Sequence, residues 1–396
     1  MSRRPINRSA DLQKLQAEGY DLEIRSGYLL VKGVPYVAPG KVVRRGTLIA
    51  KLVLANDITC EPDNHVAYFD GDYPCDHQGN PIERIRHSEP NEAIGGGVTK
   101  RFMFSAMPKP KGNYDDYYHK VTTYVGILSG PAQVLDPSIK ATTFPVIMAD
   151  EEESVFHYID NASSRADIAL VTAKLELSRI AIIGLGGTGA YVLDLVAKAP
   201  VKEIHLYDGD TFLQHNAFRS PGAASGSELE EKLPKVSYFG RIYSKMRRGI
   251  VEHPAYVRAD NVDELRDMDF VFVCMDRPSQ KSLIIAKLEE FGLPFVDVGM
   301  GVYLTAGALG GTVRTTSSTS EKRDHFRTRV PMKDGDEERN EYDTNIQIAD
   351  LNALNAALAV IRWKKLFGFY HDQEHEFSSS YAIGCNDILN EDQHET

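Results

Sequence analysis

The chain has 396 residues, enough for two domains at about 150 residues each, and such a length buries a core without disulfide staples. Its 56 acidic and 45 basic residues give a formal net charge of -11, so no sequence-wide basic field exists to hold a nucleic-acid backbone or an anionic membrane. At 42% hydrophobic and 26% charged, with four cysteines and no apolar run of membrane-spanning length, the composition predicts a folded cytoplasmic protein with free thiols and neither nucleic-acid nor membrane partners.

In chain order, residues 1–150 show short apolar runs at 28–31, 48–54, 65–69, 101–107 and 121–128, broken by Gly, Pro, Asn and Asp. This texture predicts a β-rich α+β domain. It carries no catalytic pattern and is assigned a recognition role by elimination. Cys60, His65, Cys75 and His77 are spaced like no common zinc ribbon or finger, so no zinc is expected there. An acidic patch and a polar stretch mark a boundary near residue 150.

A second domain, 151–370, begins with a helix-like segment at 167–177 and then alternates apolar strand and helix. Strands are expected at 180–183, 203–207, 255–258, 270–274 and 294–298, with helices at 190–198, 228–245 and 279–291. Alternation of this kind predicts a parallel sheet covered on both faces, a doubly wound α/β fold. Residues 315–341 are too polar for core and predict a substrate-covering loop; 346–366 restores helical periodicity, and 371–396 is left as a polar, acidic tail carrying Cys385.

The chemistry starts at Ile180-Ala-Ile-Ile-Gly-Leu-Gly-Gly-Thr-Gly189, which closes a strand and opens a helix. Glycines there let the backbone approach a phosphate, and the helix N-terminus supplies N–H donors. On this turn and Asp208 alone, NAD and ATP both fit, because an acid about 20 residues on is also the ribose ligand of a dinucleotide site. Leu206-Tyr-Asp-Gly-Asp-Thr-Phe-Leu-Gln-His-Asn-Ala-Phe-Arg219 then adds Asp210, Asn216 and Arg219, and Lys235 follows. Two phosphates are already served by the turn, so the extra amide and cations suit a triphosphate with a leaving pyrophosphate. Asp276 stands at the carboxyl end of a strand, where an acid can hold magnesium between phosphates.

These four ordered motifs, spread over residues 177–369, resemble the adenylating domain of the ThiF, MoeB and ubiquitin-activating (E1) family. The resemblance implies a Rossmann-like E1/ThiF adenylation domain behind the β-rich N-terminal domain. Gly184, Gly186, Gly187 and Gly189 would cradle ATP, and Asp208 and Asp210 would hold its ribose. Asn216, Arg219 and Lys235 would bind phosphate and offset charge. Asp276 would bind Mg2+, and Lys281 stands where the family usually has arginine. Arg165 is similar to the arginine that such proteins lend across a homodimer interface. Two departures stand out: the usual Asp-Asn is Asp276-Arg277, and the zinc-binding Cys-x-x-Cys pairs are absent.

Gly187-Thr-Gly-Ala-Tyr191 and His215-Asn-Ala-Phe-Arg-Ser-Pro-Gly222, with the N-terminal region, are similar to the E1-like proteins of bacterial ubiquitin-like operons. That likeness implies a ubiquitin-like partner activated at its C-terminus, an E2-like protein downstream and, in some operons, antiphage defence. A thioester step needs an exposed thiol. Cys274 lies in an apolar strand and is expected in the core; Cys385, flanked by Gly384 and Asn386, is the leading nucleophile. Rival readings are a sulfur-carrier adenylyltransferase, which lacks its loop cysteine here, a non-catalytic ubiquitin-like-binding adaptor, and an NAD-dependent oxidoreductase, which leaves Asn216, Arg219 and Lys235 without a task.

Overall fold

The computed structural model describes residues 4–149, 154–160, 168–332 and 346–393. The chain forms two compact units, Met1–Ile147 and Met148–Thr396.

In the first unit, helices α1 (Arg4–Arg8) and α2 (Ala10–Ala17) precede strands β1 (Asp21–Arg25), β2 (Tyr28–Ala38), β3 (Val42–Lys51), β4 (Val66–Asp70), β5 (Arg86–Ser88) and β6 (Phe102–Ser105). They make one antiparallel sheet in the order β1-β2-β3-β4-β6-β5. Helix α3 (Tyr117–Leu135) packs on β2. The apolar run at 121–128 was expected among the strands, and it is helical. Asp116 caps the helix by accepting the His119 N–H, and Tyr117, Val121, Tyr124, Val125 and Leu128 fall on one buried stripe with the 3.6-residue period.

In the second unit, β7 (Arg179–Ile183), β8 (Glu203–Tyr207), β9 (Ile250–His253), β10 (Phe270–Val273) and β11 (Phe295–Thr305) are parallel in the order β9-β8-β7-β10-β11. Strands β12 (Ala308–Ser318), β13 (Ser378–Ala382) and β14 (Asp387–Glu391) extend the sheet antiparallel. Alternate residues of the strands feed two separate cores, as a period of two requires. Ile180, Ile182, Leu206 and Phe272 pack with helices α4 (Gly187–Val196), α6 (Lys235–Tyr243) and α8 (Ala349–Leu366), while α5 (Gly226–Glu230) carries no buried residue. Ala181, Ile183, Val271 and Val273 pack with α7 (Pro278–Glu290) on the opposite face. Both faces are therefore covered, and the fold is the doubly wound α/β arrangement with a β-rich unit ahead of it.

Four further elements differ from expectation. The helix expected over 228–245 is two, α5 and α6, because Pro234 cannot continue a helix and instead opens α6 as its N-cap. The strand expected at 255–258 lies earlier, at β9. The polar segment from residue 315 begins as buried strand: Thr315, Thr316, Ser317 and Ser318 are interior, and Thr315, Ser317 and Thr316 bond to Asn355, the Phe377 carbonyl and Ser378. Residues 333–341 of that expected loop lie outside the described residues. Residues 378–391 form the β13–β14 hairpin on the sheet edge, although their polarity suggests a tail. Among the described residues no helix is long and apolar enough to cross a membrane.

Candidate active site

The strand order reverses between β7 and β10, the place where open α/β sheets bind ligands at the carboxyl ends of their strands. The glycine turn follows β7 and Asp276 follows β10. Gly184 has φ +91, and a Cβ there would lie 2.7 Å from the Cys274 carbonyl oxygen, so only glycine lets the two strand ends approach. A Cβ on Gly189 would strike the Gly184 carbonyl, and one on Gly187 would strike the Asn352 amide. Gly186 differs: it caps α4, and a Cβ there would meet no atom within 4 Å. The open side of the turn thus faces the α4 N-terminus, a cradle that suits phosphate.

Asp208, only 5% exposed, accepts the Leu185 N–H at 2.6 Å and the Asp210 N–H at 2.8 Å. Lys235 opens α6, and its buried ammonium lies 2.7 Å from Asp210 Oδ2 and 3.6 Å from Asp208 Oδ2. The Tyr256 hydroxyl donates to Asp210 Oδ1. Desolvation pushes the Asp210 carboxyl up, but the bonds from Lys235 and Tyr256 and the charges of Lys235 and Arg277 outweigh it and hold it below the usual carboxylate range.

Asn216, in the short helical turn Gln214–Ala217, is buried and spends its Oδ1 on the Leu213 N–H, capping that turn. Arg219 follows it, half-buried, with a Nε that is inaccessible to solvent and has no hydrogen-bond partner among the described residues. Asp276 is exposed two residues beyond Cys274, whose carbonyl abuts the turn. Lys281 is drawn elsewhere: its ammonium lies 2.6 Å from Asp297 Oδ1, both side chains buried, and Arg314 holds the other carboxylate oxygen at 2.8 Å. Cys274 is partly buried, and desolvation, followed by the Asp297 charge, pushes its thiol up, away from the reactive thiolate. Cys385 is exposed in the β13–β14 turn. Arg165 lies outside the described residues.

A ThiF family model matches residues 158–382, and a model described as a domain of unknown function (DUF6791) matches residues 10–161. The chain belongs to the ThiF family. With membership comes that family's general chemistry, ATP-dependent adenylation, though not the identity of what is adenylated. No curated protein matches the sequence. Among solved structures, E. coli MccB with MccA-N7isoASN is 18% identical, with 58% of this chain and 68% of that chain covered and a TM-score of 0.47. The microcin C7 biosynthetic enzyme MccB in complex with N-formylated MccA is 18% identical (58% and 69% covered, TM-score 0.46), and PaaA is 15% identical (57% and 76% covered, TM-score 0.44).

Within this ThiF-family site, several working residues were not visible in the sequence. Asn352 and Asn355 of α8 are buried and three residues apart, one helical face. The Thr188 hydroxyl donates to Asn352 Oδ1 at 2.9 Å, and Asn352 Nδ2 donates to the Arg219 carbonyl at 3.4 Å, so one amide ties the glycine turn to the Arg219 loop. Asn355 Nδ2 donates to the Gly299 carbonyl at 3.0 Å. Two amides at that spacing in the otherwise apolar stretch 351–361 were the available signal, as was Asp297 in the apolar run Phe-Val-Asp-Val. Among the described residues no group of three or more His, Cys, Asp or Glu side chains is disposed to hold a metal ion. Magnesium fits here only as it usually binds nucleotides, through one carboxylate and phosphate oxygens. Asp276 has the right chemistry and exposure for that role.

Proposed function

We propose that this ThiF-family chain adenylates the C-terminal carboxylate of a ubiquitin-like protein. The carboxylate oxygen bonds to the α-phosphorus of ATP, the bond to the bridging oxygen breaks, and pyrophosphate leaves. The reading is carried by the cations that converge beside the glycine turn: Lys235 buried against Asp208 and Asp210, and Arg219 with a buried nitrogen that has no acceptor among the described residues. A dinucleotide carrier has no use for such charge, whereas a triphosphate that loses pyrophosphate does.

In this reading Gly184, Gly186, Gly187 and Gly189 shape the cradle, and Asp210 and Asp208 face the ribose side. Arg219 and Lys235, with Arg165, offset phosphate charge, while Asn216 fixes the loop that carries Arg219. Asp276 holds Mg2+, which when bound neutralises phosphate oxygens and assists departure of pyrophosphate. Lys281 acts from behind, fixing the start of α7 through Asp297. We further propose that the Cys385 thiolate attacks the acyl carbon of the adenylate, forming a thioester as the bond to the phosphate oxygen breaks and AMP leaves, followed by handover to an E2-like protein, with a two-fold dimer and a place in a bacterial conjugation pathway of the antiphage kind.

Trapping tests this. Purified protein, MgATP and ubiquitin-like proteins ending in glycine are incubated with hydroxylamine, and the C-terminus is examined by mass spectrometry. A C-terminal hydroxamate that needs ATP is expected; a thioester band on a non-reducing gel, lost in Cys385→Ala, is expected for the second step. ATP binding with no hydroxamate on any ubiquitin-like protein would favour a non-catalytic adaptor.

A further inference from the structure

Asp208 has both carboxylate oxygens occupied by backbone N–H groups and is buried, which leaves Asp210 to meet a ribose. A carboxylate has about four lone-pair sites, and Asp210 spends two, on Lys235 and Tyr256. Tyr256 is seated firmly: a Cβ on Gly209 would lie 2.8 Å from its ring, so the ring rests on the backbone between the two acids. Over the same ring lie two guanidinium groups, Arg277 at 5.4 Å and Arg258 at 5.6 Å from the centroid. Both arginines are exposed, and neither side chain has a carboxylate within ion-pairing distance among the described residues. Arg277 directly follows Asp276, at the position where the resemblance noted above has asparagine.

A planar cation already aligned over an aromatic ring offers its outer face to another flat π-system, and a purine is such a system. We propose that Tyr256 and Arg277 form the nucleoside-recognition face of the site. Arg277 stacks on the purine, and Tyr256 is a positioning residue that holds the Asp210 carboxylate toward the ribose hydroxyls. This rests on the reading of the site as one for ATP. The placement of Arg277 over Tyr256, whose hydroxyl bonds the Asp210 carboxylate, assigns it to the nucleoside rather than to the phosphates.

The test uses the full chain with Mg2+ and titration calorimetry of ATP, AMP and 3′-deoxy-ATP against wild type, Arg277→Ala and Tyr256→Phe, with thermal melts to establish folding. Arg277→Ala is expected to weaken ATP and AMP by the same factor, about tenfold. Tyr256→Phe is expected to bind ATP within about threefold of wild type while losing most of the preference for ATP over 3′-deoxy-ATP. Arg277→Ala that weakens ATP but spares AMP would assign the guanidinium to the phosphates and overturn the proposal, as would unchanged affinity for both. An undiminished ribose preference in Tyr256→Phe would overturn its half. Wild-type protein that binds neither ATP nor AMP would instead remove the ATP reading itself.

Discussion

The Asp208 carboxylate at the end of β8 accepts the backbone N–H of Leu185, inside the glycine turn after β7, at 2.6 Å. Two strand ends that each point into the site are thereby tied together by one buried acid. Asp208→Ala leaves the Leu185 and Asp210 N–H groups without an acceptor, so a loss of about 2 kcal/mol or more is expected in urea denaturation. Stability equal to wild type would show that the turn holds its shape without Asp208.

Glycines 186 and 187 are adjacent and should separate binding from folding. Gly187→Ala drives a methyl into the Asn352 amide, and a destabilisation of about 1–3 kcal/mol is expected. Gly186 has φ -70, which alanine adopts, and open space at its Cβ. Gly186→Ala is expected to stay within about 1 kcal/mol of wild-type stability, the N-cap cost, while ATP affinity falls several-fold. Calorimetric binding alongside denaturation checks the pair; Gly186→Ala that binds ATP normally would contradict the placement of the cradle.

Asp297 lies fully buried between Lys281 and Arg314. Removing it strands two cations, and Asp297→Ala is expected to cost about 3–5 kcal/mol. The double change Lys281→Met with Asp297→Leu restores matched apolar groups and should recover much of that loss, though Arg314 still lacks its partner. Denaturant unfolding of both variants measures this; a mild single and a severe double would refute the ion-pair account.

His205 and His253 meet at 3.0 Å between ring nitrogens, with Glu203 3.3 Å from the first and Glu264 3.6 Å from the second. Desolvation lowers both imidazoles, and for His253 the neighbouring His205 adds to the shift; the glutamates oppose it. A depressed folded value means that the unfolded chain takes up protons first. Stability from these two groups is therefore complete above about pH 6.5 and is lost as pH falls through the depressed folded values. Asp210 and Glu203, both lowered, add a second loss only below the usual carboxylate range. The melting temperature should drop between pH 7 and pH 5, and His205→Gln with His253→Gln should flatten that drop. An unchanged pH profile in the double variant would place the titration elsewhere.

What the sequence disclosed was local. Strand β7, its glycine turn and α4 are contiguous, so apolar run, backbone punctuation and helical stripe stand side by side, and the doubly wound unit follows from repetition of that pattern. Residues 121–128 misled because Val-Thr-Thr-Tyr-Val-Gly-Ile-Leu fits both periods over a short window, and the Asp116 cap decides the matter only from outside it. The hydroxyls of Thr315, Thr316 and Ser317 look like loop until Asn355, Ser378 and Phe377, 40 or more residues away, satisfy them. Long-range partners are invisible in the same way: Thr188 finds Asn352 across 164 residues, and Lys281 finds Asp297 on the next strand. The sequence offers Asn216, Arg219 and Lys235 as a group because all three follow β8 before the next strand begins, with Asp276 joining them after β10, whereas the occupancy of Asp208 by the backbone has no sequence signal.

In the proposed reaction this ThiF-family site transfers adenylate to a carboxylate. The direct measurement is ATP–pyrophosphate exchange with purified protein and ubiquitin-like proteins ending in glycine, beside Asp276→Ala. Exchange that depends on the partner and falls at least a hundredfold in Asp276→Ala is the expected result, as for loss of a group that acts in the transition state. Absence of exchange with every such partner, from protein that binds MgATP, would contradict it.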